Sequence, residues 1–416
     1  MAGDNEDGLR LRQFTASRKW DFVSEEDRYL SRREEPRYNF ALIGCGTMGL
    51  EHLRVTALEG QARVIGVYDP HKPSVAAAQR LHDSLGSDQP LTLYDSPEAA
   101  ANDPAVDLVI IATPNHSHWQ VVEPLLASGK PMLVEKPMAT TLEDAFAMLQ
   151  AAEAHPALFQ LGLQYRYKAL YAEALDRLAD TATIGTLKTL RIAEYRPPFL
   201  DKVGQWNKFN SGSGGTLVEK CCHYFDLMHR ITGAPPERVL ASGSQAVNFR
   251  DLARDGEQAD MLDNADVLID YAGGLRGSFT LNMLTPDFRE ELVVTGDKGQ
   301  LRGQEHADPN GDDQFRNTLD IVQGDAGRRV HIEPSYPRWI EQSGHGGASW
   351  HLHHRLINAL DGKPTDLATA REGFWAFLVG AAAQNSIANG APVEIADMLE
   401  KAGIDAADVA FGQQTP

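Results

Sequence analysis

The stretch Tyr38 to Leu58 constrains the fold more than any other part of this 416-residue chain. A short apolar run, Tyr38 to Ile43, meets Gly44-Cys45-Gly46-Thr47-Met48-Gly49, and a helix-forming run, Leu50 to Leu58, follows. A G-x-G-x-x-G sequence between a strand and a helix opens a parallel βαβ unit. Its first glycine permits a tight turn, the second lets a pyrophosphate reach the backbone, and the third lets the helix pack on the strand. Thr47 and Met48, within the motif, are candidate cofactor contacts, and the N-terminus of the helix that follows faces the phosphates. A second strand, Arg63 to Tyr68, ends in Asp69, 20 positions after Gly49. An acid there hydrogen-bonds the adenine ribose 2′-hydroxyl and repels a 2′-phosphate, which favours NAD over NADP. His71 and Lys72, directly after it, work against that preference.

The alternation continues as a doubly wound sheet requires. Pro73 to Leu85 reads as a helix, and Val106 to Ala112 is the near-continuous apolar run of a strand buried on both faces. That strand stops at Thr113-Pro114-Asn115-His116-Ser117-His118, and ligands sit at such strand ends. The plain alternative for His116 and His118 is a pair of helix-start residues in solvent. A helix from Trp119 to Ser128 leads to the strand Pro131 to Val134, which ends in Glu135-Lys136-Pro137. An ion-forming pair at a strand end is a place for chemistry, the alternative being a surface Lys beside a surface Glu. A helix from Thr141 to Ala154 and a strand from Leu158 to Leu163 lead to Gln164-Tyr165-Arg166. Residues 38–165 are therefore expected to form one dinucleotide-binding domain.

Beyond it the pattern changes. A helix, Leu170 to Ala179, and a strand, Leu187 to Tyr195, precede a long aromatic and locally basic loop, Arg196 to Lys208. Long irregular loops in compact domains tend to be functional. The next stretch, Gly214 to Asp226, reads as a helix in which Glu219 and His223 stand one turn apart on one face. A carboxylate beside an imidazole orients and polarises it, which suits a general acid/base; a structural polar pair is the alternative. Strands are expected at Arg238 to Ala246, Ala265 to Tyr271, Leu275 to Met283, Glu290 to Thr295, Gly299 to Gly303, Thr318 to Gln323 and Arg328 to Glu333. Their alternation and glycine turns predict an open, largely antiparallel sheet with one covered face. Helices follow at Ser349 to Leu360 and Ala370 to Ile387, preceded by Gly344-His345-Gly346-Gly347. Residues 166–416 read as a second, α/β domain, and 1–37 as an arm whose aromatics (Trp20, Phe22, Tyr29) either dock or sit in a disordered leader.

Composition excludes several classes. The net charge of −19 argues against a nucleic-acid or anionic-membrane binder. No apolar run approaches the roughly 20 residues of a membrane span, and the polar N-terminus lacks the apolar core of a secretory signal. Three cysteines make no disulfide framework, so the cytoplasm is the simplest location. Cys221, Cys222 and His223 are consecutive; helical neighbours point in different directions, so no metal is expected.

The Gly44 to Gly49 fingerprint, Glu135-Lys136-Pro137, and Gly214-Gly215 leading to His223 and Asp226 occur in this order. Together they resemble the Gfo/Idh/MocA oxidoreductases, over about residues 38 to 390. The resemblance implies a Rossmann domain followed by an α/β domain whose open sheet often makes dimer or tetramer contacts. It implies NAD as cofactor and a sugar, cyclitol or glycoside as substrate. Lys136 and His223 would flank the substrate hydroxyl beside the nicotinamide. Thr113, Asn115, His118 and Glu135 would hold the cofactor, with Trp206 and Arg166 lining the site. The chain departs from the family pattern at Glu219, where the family usually has Asp with a Gly between it and the His.

Two enzymatic readings follow, and one that is not enzymatic. In the first, NAD takes hydride from a secondary carbon while His223, tuned by Glu219, takes the hydroxyl proton and Lys136 stabilises the alkoxide. In the second, as in NAD-dependent glycosidases of the group, transient oxidation drives elimination of an aglycone and the hydride returns. There Arg196, Lys202 and Lys208 would pair the sulfonate or carboxylate of an anionic sugar such as a sulfoquinovoside, unless they are loop solubility charges. His345 would close over the substrate, or simply form a turn. The third is a regulator that binds NAD without turnover, against which an intact Lys136 and His223 speak.

Overall fold

The computed structural model describes residues 35–87, 89–307, 315–324 and 327–412. The arm expected at 1–37 lies outside the described residues up to position 34. The described chain groups into two compact units. One contains the chain up to Gln164 together with Leu200–Asn207 and Pro337–Ala370; the other contains Tyr165–Phe199, Lys208–Tyr336 and the chain from Arg371 on.

The first unit is built on β1 (Tyr38–Ile43), α1 (Thr47–Glu59), β2 (Ala62–Tyr68), α2 (Lys72–Ser84), β3 (Thr92–Leu93), α3 (Pro97–Asn102), β4 (Leu108–Ile111), α4 (His118–Leu125), β5 (Met132–Val134), α5 (Leu142–Ala154) and β6 (Phe159–Leu161). The strands form one sheet in the order β3-β2-β1-β4-β5-β6, every neighbour parallel. Phe40 to Ile43 and Leu108 to Ile111 are wholly buried, as their unbroken apolar sequence requires. Strand order reverses between β1 and β4, so the crevice beyond their C-terminal ends is the switch point where such sheets bind ligands.

Helix α1 is buried nearly all round, including Glu51, His52, Arg54 and Glu59. Buried polar side chains on a helix need partners, and residues 337–370 supply partners for these four. His345 Nδ1 lies 2.6 Å from Glu51 Oε1, His353 Nε2 lies 2.8 Å from His52 Nδ1, and His354 Nδ1 lies 3.2 Å from Glu59 Oε1. Arg54 donates to the Ser343 carbonyl. The same segment ends beside β6, where Leu161 N donates to Ala368 O at 3.0 Å.

In the second unit, α6 (Ala169–Ala179) precedes β7 (Leu187–Tyr195), then come α7 (Thr216–Glu219) and α8 (Cys222–Thr232). There follow β8 (Pro236–Ser244), the short pair β9 (Ala253–Arg254) and β10 (Glu257–Gln258), β11 (Asn264–Tyr271), β12 (Arg276–Asn282), β13 (Arg289–Gly296), β14 (Gly299–Ala307), β15 (Phe315–Gln323) and β16 (Arg328–Ile332). Helix α9 (Ala348–Leu360) lies in the segment that belongs to the first unit, and α10 (Ala370–Asn389), β17 (Val393–Glu394) and α11 (Ile395–Lys401) complete the chain. Nine strands form a sheet in the order β16-β15-β14-β13-β7-β12-β11-β8-β17. Only β7 and β12 pair in parallel; the other neighbours are antiparallel, as the alternation predicts. Helices α6 and α8 cover one face. On the other, Leu240 and Leu268 face each other across β8 and β11 and remain 41% and 55% exposed.

One local expectation fails. The helix foreseen across Gly214 to Asp226 is two helices, α7 and α8, interrupted at Lys220 and Cys221. Glu219 closes one and His223 lies in the first turn of the next, so they do not share one unbroken helical face. Lys220 (φ −98°, ψ −44°) and Cys221 (φ −84°, ψ −9°) stay in the right-handed region but off regular α values, so the helix is interrupted there without reversing.

Candidate active site

The glycine loop does what its spacing requires. Gly44 has φ +94°, and a Cβ there would meet Ala112 O at 2.5 Å. A Cβ on Gly49 would stand 2.0 Å from Gly44 O, so only glycine lets α1 approach β1 this closely. Around Gly46 there is nothing within 4 Å of the same position. This is an open cradle at a helix start that no side chain caps among the described residues, and it fits the pyrophosphate of a dinucleotide. Thr47 and Met48 open that helix. Asp69, at the end of β2, accepts from Cys45 N and His71 N, each at 2.7 Å. The carboxylate is thereby aimed at the glycine loop, with lone pairs left for a ribose hydroxyl.

At the end of β4 the Thr113 hydroxyl is buried and has no hydrogen-bond partner among the described residues. Such an atom awaits a ligand or water. Asn115 is buried beside it in sequence. His118 is wholly buried, with Nδ1 2.8 Å from Pro137 O and Nε2 3.0 Å from Thr113 O. Both carbonyls favour its protonation, but burial outweighs them and holds its pKa below the usual histidine value, so the neutral ring donates to one of the two at a time. Lys202 lies over the Trp206 ring at 4.4 Å, and His116 meets that ring edge-on at 6.4 Å. Leu200 to Asn207 thus belongs to the first unit, while Arg196 and Lys208 at the two ends of the loop belong to the second.

Glu135 follows β5 directly and is 3% exposed. Its Oε2 accepts from Lys136 N at 3.1 Å, and its Oε1 lies 3.0 Å from His52 Nε2. Burial alone would raise the pKa of Glu135, but the hydrogen bond and charge of His52, with Lys136, hold it below the usual carboxylate value. Lys136 is half-buried, and its bond to Pro137 is cis. His345 does not stand free over the site. It is bound to buried Glu51, whose carboxylate is also held by Ser349.

In the second unit His223 is 2% exposed and stacks flat on Tyr165, ring centroids 4.0 Å apart and planes 9° apart. The Tyr165 hydroxyl takes a hydrogen bond of 2.6 Å from Lys220 Nζ, which also lies 3.0 Å from Glu194. Burial pushes the Lys220 pKa down, but the Glu194 carboxylate outweighs it and leaves the pKa raised. Arg196 reaches the same Glu194 at 3.5 Å. Glu219 is 4% exposed at the end of α7.

Three glutamates form a row across the covered face of the sheet. Glu290 pairs in register with Glu194 on one side and with Glu305 on the other, and all three are buried. Like charges directly opposite destabilise a sheet. Here Lys168 binds both Glu290, at 2.6 Å, and Glu305, and the hydroxyls of Tyr171 and Tyr224 reach Glu290 at 2.7 and 2.9 Å.

Two side chains expected near a ligand are engaged inside this unit. Arg166 has no exposed side-chain surface; its Nε donates to Asp226 at 3.0 Å, with Glu372 beside it. Lys208 is fully buried, donates to Phe199 O at 2.7 Å and lies 4.2 Å over the Phe249 ring. Sequence reasoning missed Tyr165 as the ring stacked on His223, and Lys220 and Glu194 as the pair that holds the Tyr165 hydroxyl. It also missed Gln164, a buried amide after β6 without a partner among the described residues. The strand alternation that puts Glu194 with Ile192 and Leu190 on one face was the available signal.

Residues 38–163 match the family described as an oxidoreductase family with an NAD-binding Rossmann fold, and 178–395 match its C-terminal alpha/beta domain. Among curated relatives, scyllo-inositol 2-dehydrogenase (NAD(+)) of Bacillus subtilis is 26% identical over 87% of this chain and 97% of the relative. Myo-inositol 2-dehydrogenase of Thermotoga maritima is 23% identical over 86% and 98%. Levoglucosan dehydrogenase, solved with NADH and levoglucosan, shares the fold with a TM-score of 0.71 at 21% identity, covering 86% of this chain and 98% of that one. GenD2 of gentamicin A biosynthesis, solved with NAD, does so at 0.68 and 22%, covering 88% and 98%. With both domains matched in order around the glycine cradle and the Glu135-Lys136-Pro137 turn, this chain belongs to the Gfo/Idh/MocA family of NAD-dependent oxidoreductases.

Proposed function

We propose that this enzyme oxidises a secondary carbinol of a cyclitol or sugar, with Lys136 and His223 handling the hydroxyl proton. The observation that carries the reading is Lys136 at the end of β5, in the same unit as the open Gly46 cradle. The inositol dehydrogenases among the relatives give the substrate class. NAD, when bound, supplies the hydride acceptor. His223 takes the hydroxyl proton as the C–H bond breaks, and Tyr165 keeps its ring in one plane. Lys136 stabilises the oxygen as negative charge develops on it. Asp69, Thr113 and Asn115 hold the cofactor, with Trp206 lining the site. We assign the open face around Leu240 and Leu268 to contacts between copies of this chain, and the enzyme to the cytoplasm, which suits its buried free cysteines.

The test is turnover of a panel of cyclitols, free sugars and nitrophenyl glycosides with NAD. NADH formation on a cyclitol or sugar is expected. The Lys136→Met variant should lose roughly 10²–10³ in kcat while its NAD affinity changes less than about threefold. Nitrophenol release that needs NAD but yields no NADH would replace this reading with an oxidoreductive glycosidase. Tight NAD binding without turnover of either kind would leave a regulator.

A further inference from the structure

Glu135 stands at the end of a buried chain of four side chains drawn from α1, α9 and the turn after β5. Glu135 Oε1 lies 3.0 Å from His52 Nε2, His52 Nδ1 lies 2.8 Å from His353 Nε2, and His353 Nδ1 lies 3.3 Å from Thr56 Oγ1. All four residues are at most 3% exposed. Gly162 makes room for the acid, since a Cβ there would lie 2.8 Å from Glu135 Oε1.

Burial keeps His353 neutral, and counting hydrogens along the chain then leaves two arrangements. A carboxylate only accepts, so His52 Nε2 carries hydrogen in both. In one, both rings are neutral, His353 donates to His52, and the Thr56 hydroxyl must donate to His353. In the other, Thr56 accepts from His353, His353 accepts from His52, and His52 carries hydrogen on both nitrogens. The Thr56 hydroxyl already donates to His52 O at 2.7 Å, a shorter contact than its 3.3 Å to His353. That selects the second arrangement.

We propose that His52 is a positioning residue, held doubly protonated by His353 and Thr56, which neutralises Glu135 so that the Lys136 ammonium acts on substrate instead of on its sequence neighbour. The other charged or titratable groups facing the relay are Glu51, His118, His345 and Lys136. Burial and the neighbouring His52 keep His353 neutral, as this arrangement needs.

The inference rests on the role given to Lys136 above, so its test has one arm that needs no substrate. In the protein saturated with NAD, ¹⁵N NMR of the imidazoles at pH 7 should show both His52 nitrogens protonated. In His353→Phe, which removes the acceptor, one of them should lose its hydrogen. That variant should lose about tenfold in kcat at pH 7, the scale of a misplaced catalytic group, with little change in KM, and should recover toward lower pH. His353→Gln keeps an acceptor for His52 Nδ1 and should restore most of the activity and the pH profile. A singly protonated His52 in the unaltered protein overturns the proposal. So does a loss equal in both variants, tracking Tm with an unmoved pH profile. Absence of turnover in the unaltered protein would instead count against the function proposed above, and the NMR arm would still decide the relay.

Discussion

Replacing Glu51 by Gln removes a buried charge while keeping its shape. Burial pushes the Glu51 carboxyl up, but His345, Arg54 and Ser349 outweigh it and hold the pKa at about 2, against 4.5 for a free glutamate. A depression of that size corresponds to about 3 kcal/mol of folded-state stability. The folded pKa is the lower one. The contribution is therefore complete above pH 4.5 and is lost as pH falls through 2. Glu51→Gln should cost about 3 kcal/mol at pH 7 and only about 1 kcal/mol at pH 3. Urea unfolding of both proteins at the two pH values measures this. Peptide-resolved hydrogen exchange over residues 337–370 would assign the loss to the first unit, since His345 and Ser349 lie there. A cost below about 0.5 kcal/mol at pH 7, the range of an ordinary surface change, would refute the reasoning. So would an equal cost at both pH values.

Gly46→Ala places a methyl in open space, so stability should move by less than about 0.5 kcal/mol, while NAD binding by calorimetry should weaken about tenfold or more. Gly49→Ala should do the reverse first, destabilising by about 1–3 kcal/mol in urea, because its Cβ meets Gly44 O at 2.0 Å. Lys168→Met leaves Glu290 and Glu305 buried without their shared cation and should cost about 3–5 kcal/mol by urea unfolding at pH 7.

Much of this was legible because it is local. The run from Tyr38 to Asp69 carries its strand, glycines, helix and acid within one βαβ unit, and the structure keeps each in place. Apart from the two-residue β9 and β10, which were not expected, the strands from β7 to β16 could be read from period-two alternation, with bounds within a few residues. Short elements such as β3, β17 and α11 gave too few residues for a period to show. The break at Lys220 and Cys221 has no proline or glycine to announce it. The side chains around the site were the least legible. The partners of Glu51 and His52 come from positions 345 and 353, and no local pattern links residues so far apart. Lys208 was read as an anion-pairing charge, and the resemblance put Arg166 in the site lining, because sequence does not show the Phe199 carbonyl or the Asp226 carboxylate that binds them.

The return of residues 337–370 to the first unit has a consequence for synthesis. At roughly 5–20 residues per second, the ribosome needs on the order of 10–30 s to pass from Gln164 to Pro337. Throughout that interval the nascent dinucleotide unit has its sheet and glycine loop but lacks the segment that partners Glu51, His52 and Glu59. Its outer helix face, made to be buried, stays wet and open to chaperones and proteases. The emergence of α9 is therefore a completion signal: a chain broken off before it carries the whole fingerprint yet remains recognisable to quality control as unfinished.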